Sequence, residues 1–130
     1  MEDPKDLITP QFATELSANY KNERANIINP AIGYDDATAI WYSIEALEEY
    51  ITYVKARALE LDYTANGIRF YLGVYPDDSI YGDKAKMTTV FLSPTGYENG
   101  GTPCEADICD IDPLNFGTMG NPPNIQYPTN

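Results

Sequence analysis

Ile68-Arg69-Phe70-Tyr71-Leu72-Gly73-Val74-Tyr75 alternates between two kinds of residue. Ile68, Phe70, Leu72 and Val74 are purely apolar, while Arg69, Tyr71, Gly73 and Tyr75 are polar-tipped or lack a side chain. A period of two is that of a strand, whose side chains point alternately to opposite faces. The pattern predicts a strand over 68–75 with its apolar set turned to a core. Asn66-Gly67, just before it, reads as a turn. Residues 76–86, with Pro76, Asp77, Asp78, Gly82 and Asp83, read as a polar loop. Met87-Thr88-Thr89-Val90-Phe91-Leu92-Ser93 follows as another strand, ended by Pro94-Thr95-Gly96. The two strands are expected to pair antiparallel.

Upstream lies the clearest helix signal. Ile44, Leu47, Ile51, Val54, Ala58 and Leu61 recur at alternating steps of three and four, which draws one apolar stripe down a helix over 44–62. Ser43 supplies an N-cap. Glu45, Glu48 and Glu49 crowd the first turns and Lys55 and Arg57 come later, in the sense the helix dipole favours. Thr38-Ala39-Ile40-Trp41-Tyr42 reads as a brief strand. Thr9-Pro10 reads as a helix start, with threonine capping and proline in the first turn. Phe12, Leu16 and Tyr20 carry that helix over 10–27, and Asn29-Pro30 stops it before a loop over 30–37.

The expected order is helix, strand, helix, strand, strand, irregular tail. A strand–helix–strand stretch over 38–75 would form a right-handed parallel crossover. The expected fold is therefore α+β: two main helices on one face of a small three- to four-stranded mixed sheet, with a long irregular C-terminal tail docked on it. Length favours a single domain over 1–130, with a flexible start over 1–9, an α+β core over 10–93 and an irregular segment over 94–130. That last segment holds six of the ten prolines and five of the nine glycines, and neither lysine nor arginine follows Lys86. It nevertheless carries Ile108, Ile111, Leu114, Phe116, Met119, Ile125 and Tyr127, more apolar anchors than a solvated linker uses.

Charge and composition narrow the function. Twenty acidic residues against eight basic ones leave a net charge of -12 on 130 residues. Such a chain repels phosphate backbones and anionic lipid, which argues against nucleic-acid and membrane partners. The chain has no histidine, so it lacks the usual general base near neutral pH and the commonest metal ligand. No apolar run reaches the roughly 20 residues of a membrane helix, and the polar start Met1-Glu2-Asp3-Pro4-Lys5-Asp6 is unlike a secretory signal. A cytoplasmic location is expected. Cys104 and Cys109 supply half of a tetrahedral zinc set with no histidine to complete it, and read as reduced thiols in a loop, a short-loop disulfide being the alternative. No cofactor is implied.

Trp41-Tyr42-Ser43-Ile44-Glu45, with Leu47 and Tyr50-Ile51, resembles a segment of a group of small uncharacterised bacterial proteins. Gly67-Ile68-Arg69-Phe70-Tyr71-Leu72-Gly73-Val74-Tyr75-Pro76 and Thr88-Thr89-Val90-Phe91 resemble them too. So do Pro113-Leu114-Asn115 with Gly117, and Gly120-Asn121-Pro122-Pro123. The resemblance covers about residues 38–130. It implies a bacterial protein and carries no activity, cofactor or catalytic residue.

Four groups of residues bear weighing as sites. Arg69, Tyr71 and Tyr75, around the gap at Gly73, would make a shallow anion or peptide site by charge-assisted and cation–π contacts. Against this stands a face covered by other elements, with Arg69 paired to a carboxylate. Tyr50, Tyr53 and Arg57 sit at helical spacing and are of interface-favoured types; the plainer reading is that they edge the core. Asp107, Asp110 and Asp112 are weak metal candidates that would need Asn115 or Asn121, and a solvated acidic loop explains them as well. Asp35-Asp36 and Asp77-Asp78 would supply an acid–base pair, but adjacent aspartates in polar loops are usually turn formers. The favoured function is a non-enzymatic acidic protein-interaction domain, of immunity or inhibitor type, with a basic protein partner. The alternatives are a small metal-assisted hydrolase using aspartates and an acidic DNA mimic.

Overall fold

The computed structural model describes residues 2–119 and 123–128. Its architecture is α+β, with three α-helices and two sheets, one of two strands and one of three. By internal contacts the chain divides into two compact units, Met1–Ala39 with Met119–Asn130, and Ile40–Thr118.

The first unit is built on one helical run. Thr9 caps helix α1 (Pro10–Tyr20), its hydroxyl accepting the Phe12 amide at 3.0 Å. A π-helical turn, Lys21–Ala25, leads into α2 (Asn26–Ile32). The run thus passes through Asn29-Pro30, where the sequence predicted a stop. The stop is Gly33, in the left-handed region at φ 86°, whose amide donates to the Asn29 carbonyl at 2.9 Å. Glycine enters that conformation without a Cβ clash, which makes it the stronger terminator. Phe12, Leu16 and Tyr20 are all exposed, and α1 buries no side chain. The Thr38 amide and hydroxyl both donate to the Pro123 carbonyl, and the Tyr127 amide donates to the Ser17 hydroxyl at 3.1 Å.

The second unit holds the core. It comprises β1 (Ile40–Trp41), α3 (Ile44–Glu60), β2 (Tyr63–Val74), a 3-10 turn (Ser79–Lys84), β3 (Thr88–Glu98) and β4 (Ala106–Asp107). A further strand, β5 (Thr118–Met119), pairs with β1 in the two-stranded sheet. The expected parallel crossover is therefore absent. Only two residues of the predicted 38–42 strand pair, and they pair with β5. The three-stranded sheet has the order β2-β3-β4 and is antiparallel at both pairings, not mixed.

Ser43 caps α3 as expected, accepting the Ala46 amide at 2.9 Å. The buried stripe differs from the predicted one. Tyr50, Val54 and Ala58 are buried, Leu47 and Leu61 pack beside them, and Ile44 and Ile51 are exposed. Tyr50 displaces the isoleucines because its hydroxyl finds acceptors: it lies 2.9 Å from the Asp112 carbonyl and 3.2 Å from that of Leu92. A tyrosine so satisfied buries its ring without an unmet polar group. Leu92, Ile108 and Ile111 complete the cluster, so two anchors of the C-terminal segment lie in the core and Leu114 packs against it.

Only Leu61 and Asp62 join α3 to β2, with Asp62 in the left-handed region at φ 60°. Asn66-Gly67 is not a turn. β2 runs straight through it, and the register with β3 slips between Ala65 and Gly67 as a bulge. β3 likewise continues past Pro94. The Pro94 carbonyl accepts the Ile108 amide at 3.0 Å, so this residue faces the β4 side, where β4 pairs only with Thr95 and Gly96. The missing proline donor falls beyond that short ladder.

Candidate functional site

In an antiparallel pair, directly opposed residues share a face. Arg69 opposes Ser93, Tyr71 opposes Phe91, Gly73 opposes Thr89, and on the other side Thr95 opposes Asp107. The structure therefore gathers Arg69, Tyr71 and Gly73 on one face with Asp107. The Arg69 guanidinium donates to Asp107 Oδ1 at 2.9 Å and to the Glu105 carbonyl at 2.9 Å, and the Tyr71 hydroxyl donates to the other Asp107 oxygen. The Tyr71 hydrogen bond, ahead of the Asp107 charge, raises the Arg69 pKa above its ordinary value, while loss of solvent acts the other way. The Tyr71 ring stacks on Phe91 with centroids 5.2 Å apart.

Beyond Gly73 a second group forms around Tyr75, which is buried. Its hydroxyl donates to Asn115 Oδ1 at 2.7 Å, and its ring meets Tyr81 and Phe116 at 5.5 and 5.9 Å. Asn115 in turn donates to the Val90 carbonyl at 2.7 Å. Lys84 Nζ lies 5.5 Å over the Phe116 ring. Phe116 holds a φ of 65°, a costly conformation for a bulky residue, of order 1–3 kcal/mol. Arg69 is thus held by Asp107, and the Tyr71 and Tyr75 hydroxyls by Asp107 and Asn115. The chemistry of these contacts is to fasten Asp107 and Asn115 to the sheet.

The opposite face and outer edge of β2 differ. Ile68 is half-buried against the core, but Phe70, Leu72 and Val74 are 61%, 78% and 63% exposed, where the alternation had predicted burial. The core cluster draws on Ile68, Ala65 and Tyr63 of β2 and on Val90 and Leu92 of β3, and leaves the C-terminal half of β2 bare. Period two shows that a strand has two faces; it does not show how far a helix reaches along one of them. The backbone of this segment is open as well. The Leu92 amide and carbonyl bond to Leu114, at 2.8 and 2.9 Å, so they point away from β2. Leu92 opposes Phe70 in a non-hydrogen-bonded pair, and Ile68, Leu72 and Val74 share its phase. Their amides and carbonyls therefore project from the outer edge of the sheet, where among the described residues β2 has no neighbouring strand.

The remaining candidates are dispersed. Tyr50 is in the core, Tyr53 is exposed with its ring 6.0 Å from that of Tyr50, and Arg57 pairs with Glu60. Burial, ahead of the Tyr53 and Asp112 charges, pushes the Tyr50 hydroxyl up to about 12. Asp110 and Asp112 are exposed, Asp107 is engaged by Arg69 and Tyr71, and Asn121 lies outside the described residues, as do Gly120 and Pro122. Among the described residues no three metal-ligating side chains converge. Cys104 and Cys109 are free, exposed thiols. Asp78 caps the 3-10 turn, accepting the Ile80 amide at 3.1 Å, and Asp36 is buried with its carboxylate on the Ala37 amide at 2.8 Å. Both aspartate pairs thus contribute to local backbone structure.

The sequence reading missed Asp107 and Asn115 as the partners of Tyr71 and Tyr75, which lie 36 and 40 residues away along the chain. No local pattern encodes such distant pairs. It also missed the bare apolar row. The signal was present there: a run of Phe, Leu and Val with no lysine or proline to blunt an edge. No helix among the described residues is long and apolar enough to cross a membrane. Comparison with protein-family models, curated proteins and solved structures finds no match.

Proposed function

We propose that this chain is a non-enzymatic, acidic protein-interaction domain whose partner is a basic protein, with an immunity or inhibitor role as the concrete form. The observation that carries the reading is how the charges are spent. Arg57 is paired with Glu60, Arg69 with Asp107, and Lys84 lies over Phe116. Glu45, Glu48, Glu49, Asp77, Asp78 and Asp83 remain exposed around the second unit. Each ion pair cancels one anion with its cation, so the net charge of -12 stands, carried by the exposed carboxylates as the negative field offered to a partner. Such a field accelerates encounter with a positive surface and rejects acidic competitors. The absence of histidine and the engagement of Asp36, Asp78 and Asp107 in local structure favour binding over hydrolysis.

Capture from lysate at low and high salt tests this. Immobilised protein should retain basic proteins at low ionic strength and release them as salt rises. A variant with Glu45, Glu48 and Glu49 replaced by lysine should retain less. Retention of neutral or acidic proteins, indifferent to salt, would overturn the reading.

A further inference from the structure

We infer that the outer edge of β2 over Ile68–Val74 is a strand-addition site that takes an extended segment of a basic partner protein. The inference rests on the proposed interaction role and specifies where and how the partner is held. Three observations converge on it. First, the backbone groups of Ile68, Phe70, Leu72 and Val74 project outward, and among the described residues no hydrogen bond from outside the hairpin reaches them. A row of evenly spaced donors and acceptors is recognised by another extended chain. Second, Phe70, Leu72 and Val74 line one side of that edge with exposed apolar surface. An added strand would lay alternate side chains beside them, so the segment should be apolar at every second position. Third, the edge is intact. It carries neither lysine nor proline, its only bulge lies before Gly67, and its only charge, Arg69, points to the other face and is held by Asp107.

Charge selects the occupant. Asp77 and Asp78 are exposed and follow Val74 by three and four residues, at the end of the open segment. A lysine or arginine flanking the added strand would reach them. Edge-to-edge pairing of two copies would instead bring together two chains of net charge -12. Electrostatics therefore favours a basic segment over a second copy.

The test uses a synthetic peptide of alternating valine and threonine, equal in length to Ile68–Val74 and flanked by lysines at both ends. Binding to the intact protein is followed by fluorescence anisotropy. Two derivatives carry backbone N-methyl groups on the valines or on the threonines. In a strand added to β2, one set of amides faces the edge and the other faces solvent. One derivative should lose at least tenfold in affinity and the other should bind like the parent. Leu72→Pro removes an outward amide while leaving the β2–β3 bonds intact, and should lose at least tenfold with the fold retained by circular dichroism. The N-methyl pair keeps the test decisive on wild-type protein if that variant unfolds.

If both derivatives bind as the parent does and binding weakens with salt, the acidic-partner reading stands and the strand-addition site is overturned. No binding of the parent peptide overturns the site too, while salt-sensitive capture of basic proteins judges the broader reading separately. A wild-type dimer in sedimentation that Leu72→Pro dissociates would make a second copy the occupant and overturn the inference.

Discussion

Gly96 shows how tightly the hairpin is closed. A Cβ built there would stand 2.0 Å from the Thr64 carbonyl oxygen and 3.0 Å from the Ile108 side chain. Backbone cannot yield as a side-chain tip does, so even one methyl group forces the strands apart beside the bulge. Gly96→Ala should cost at least about 1–3 kcal/mol, read as a lower denaturation midpoint; an unchanged midpoint would mean the strands separate freely there. Tyr50 sets a pH limit by the same closeness of packing. Its hydroxyl is pushed up to about 12, chiefly by burial, whereas in the unfolded chain it titrates near 10. The native state thus holds a proton that the unfolded state releases. This contribution is complete below pH 10 and is lost as pH rises from about 10 to 12. Ultraviolet difference titration should show a tyrosine that ionises late, together with loss of stability, and Tyr50→Phe should abolish that late step. Ionisation of every tyrosine near pH 10 in folded protein would refute it.

Elements were legible in the sequence wherever a local signal governs them. Ser43 and Thr9 cap the predicted helices, and the two strands beside the 76–86 loop pair antiparallel as expected. Three of the errors share one cause: a signal that tertiary context overrides. Asn66-Gly67 became a bulge because β2 had a partner strand to continue along, and Pro94 was tolerated where the β4 ladder ends. Ile51 lost its place in the stripe to Tyr50, whose acceptors come from distant segments. Of the candidate site, Arg69, Tyr71 and Gly73 were rightly read as one face. Their tie to Asp107 rests on β4, which two residue pairs define and no local pattern announces. The revised stripe makes a direct prediction. Leu92→Ala should cost about 2–5 kcal/mol, as for a fully buried leucine, whereas Ile51→Ala, 43% exposed, should cost less than about 1 kcal/mol. Equal costs in urea denaturation would restore the stripe read from spacing.

On the scale of the whole chain, residues 106–114 are a component of the core of the second unit. Ile108 and Ile111 are buried in the cluster built by α3 and β3, and the Leu114 amide and carbonyl extend the β3 ladder. Burying each such side chain contributes about 1.5–3 kcal/mol, and a domain of this kind has only about 5–15 kcal/mol in total. Removal of residues 104–130 should therefore lower the melting temperature sharply and bring on aggregation, both visible in a thermal scan with light scattering. A truncated protein that melts unchanged as a monomer would show the segment to be dispensable. The sheet order β2-β3-β4 also has a temporal consequence. The ribosome delivers α3, β2 and β3 before residues 106–114, at about 5–20 residues per second. Between the emergence of Glu98 and that of Leu114 the hairpin has both of its edges open and Leu92 lacks its cover. Only when Ile108, Ile111 and Leu114 emerge does the inner edge close. The nascent chain is therefore at its stickiest in that interval, and a pause that holds Glu98 outside the ribosome while Ile108 is still within the exit tunnel should leave it in its most chaperone-dependent state.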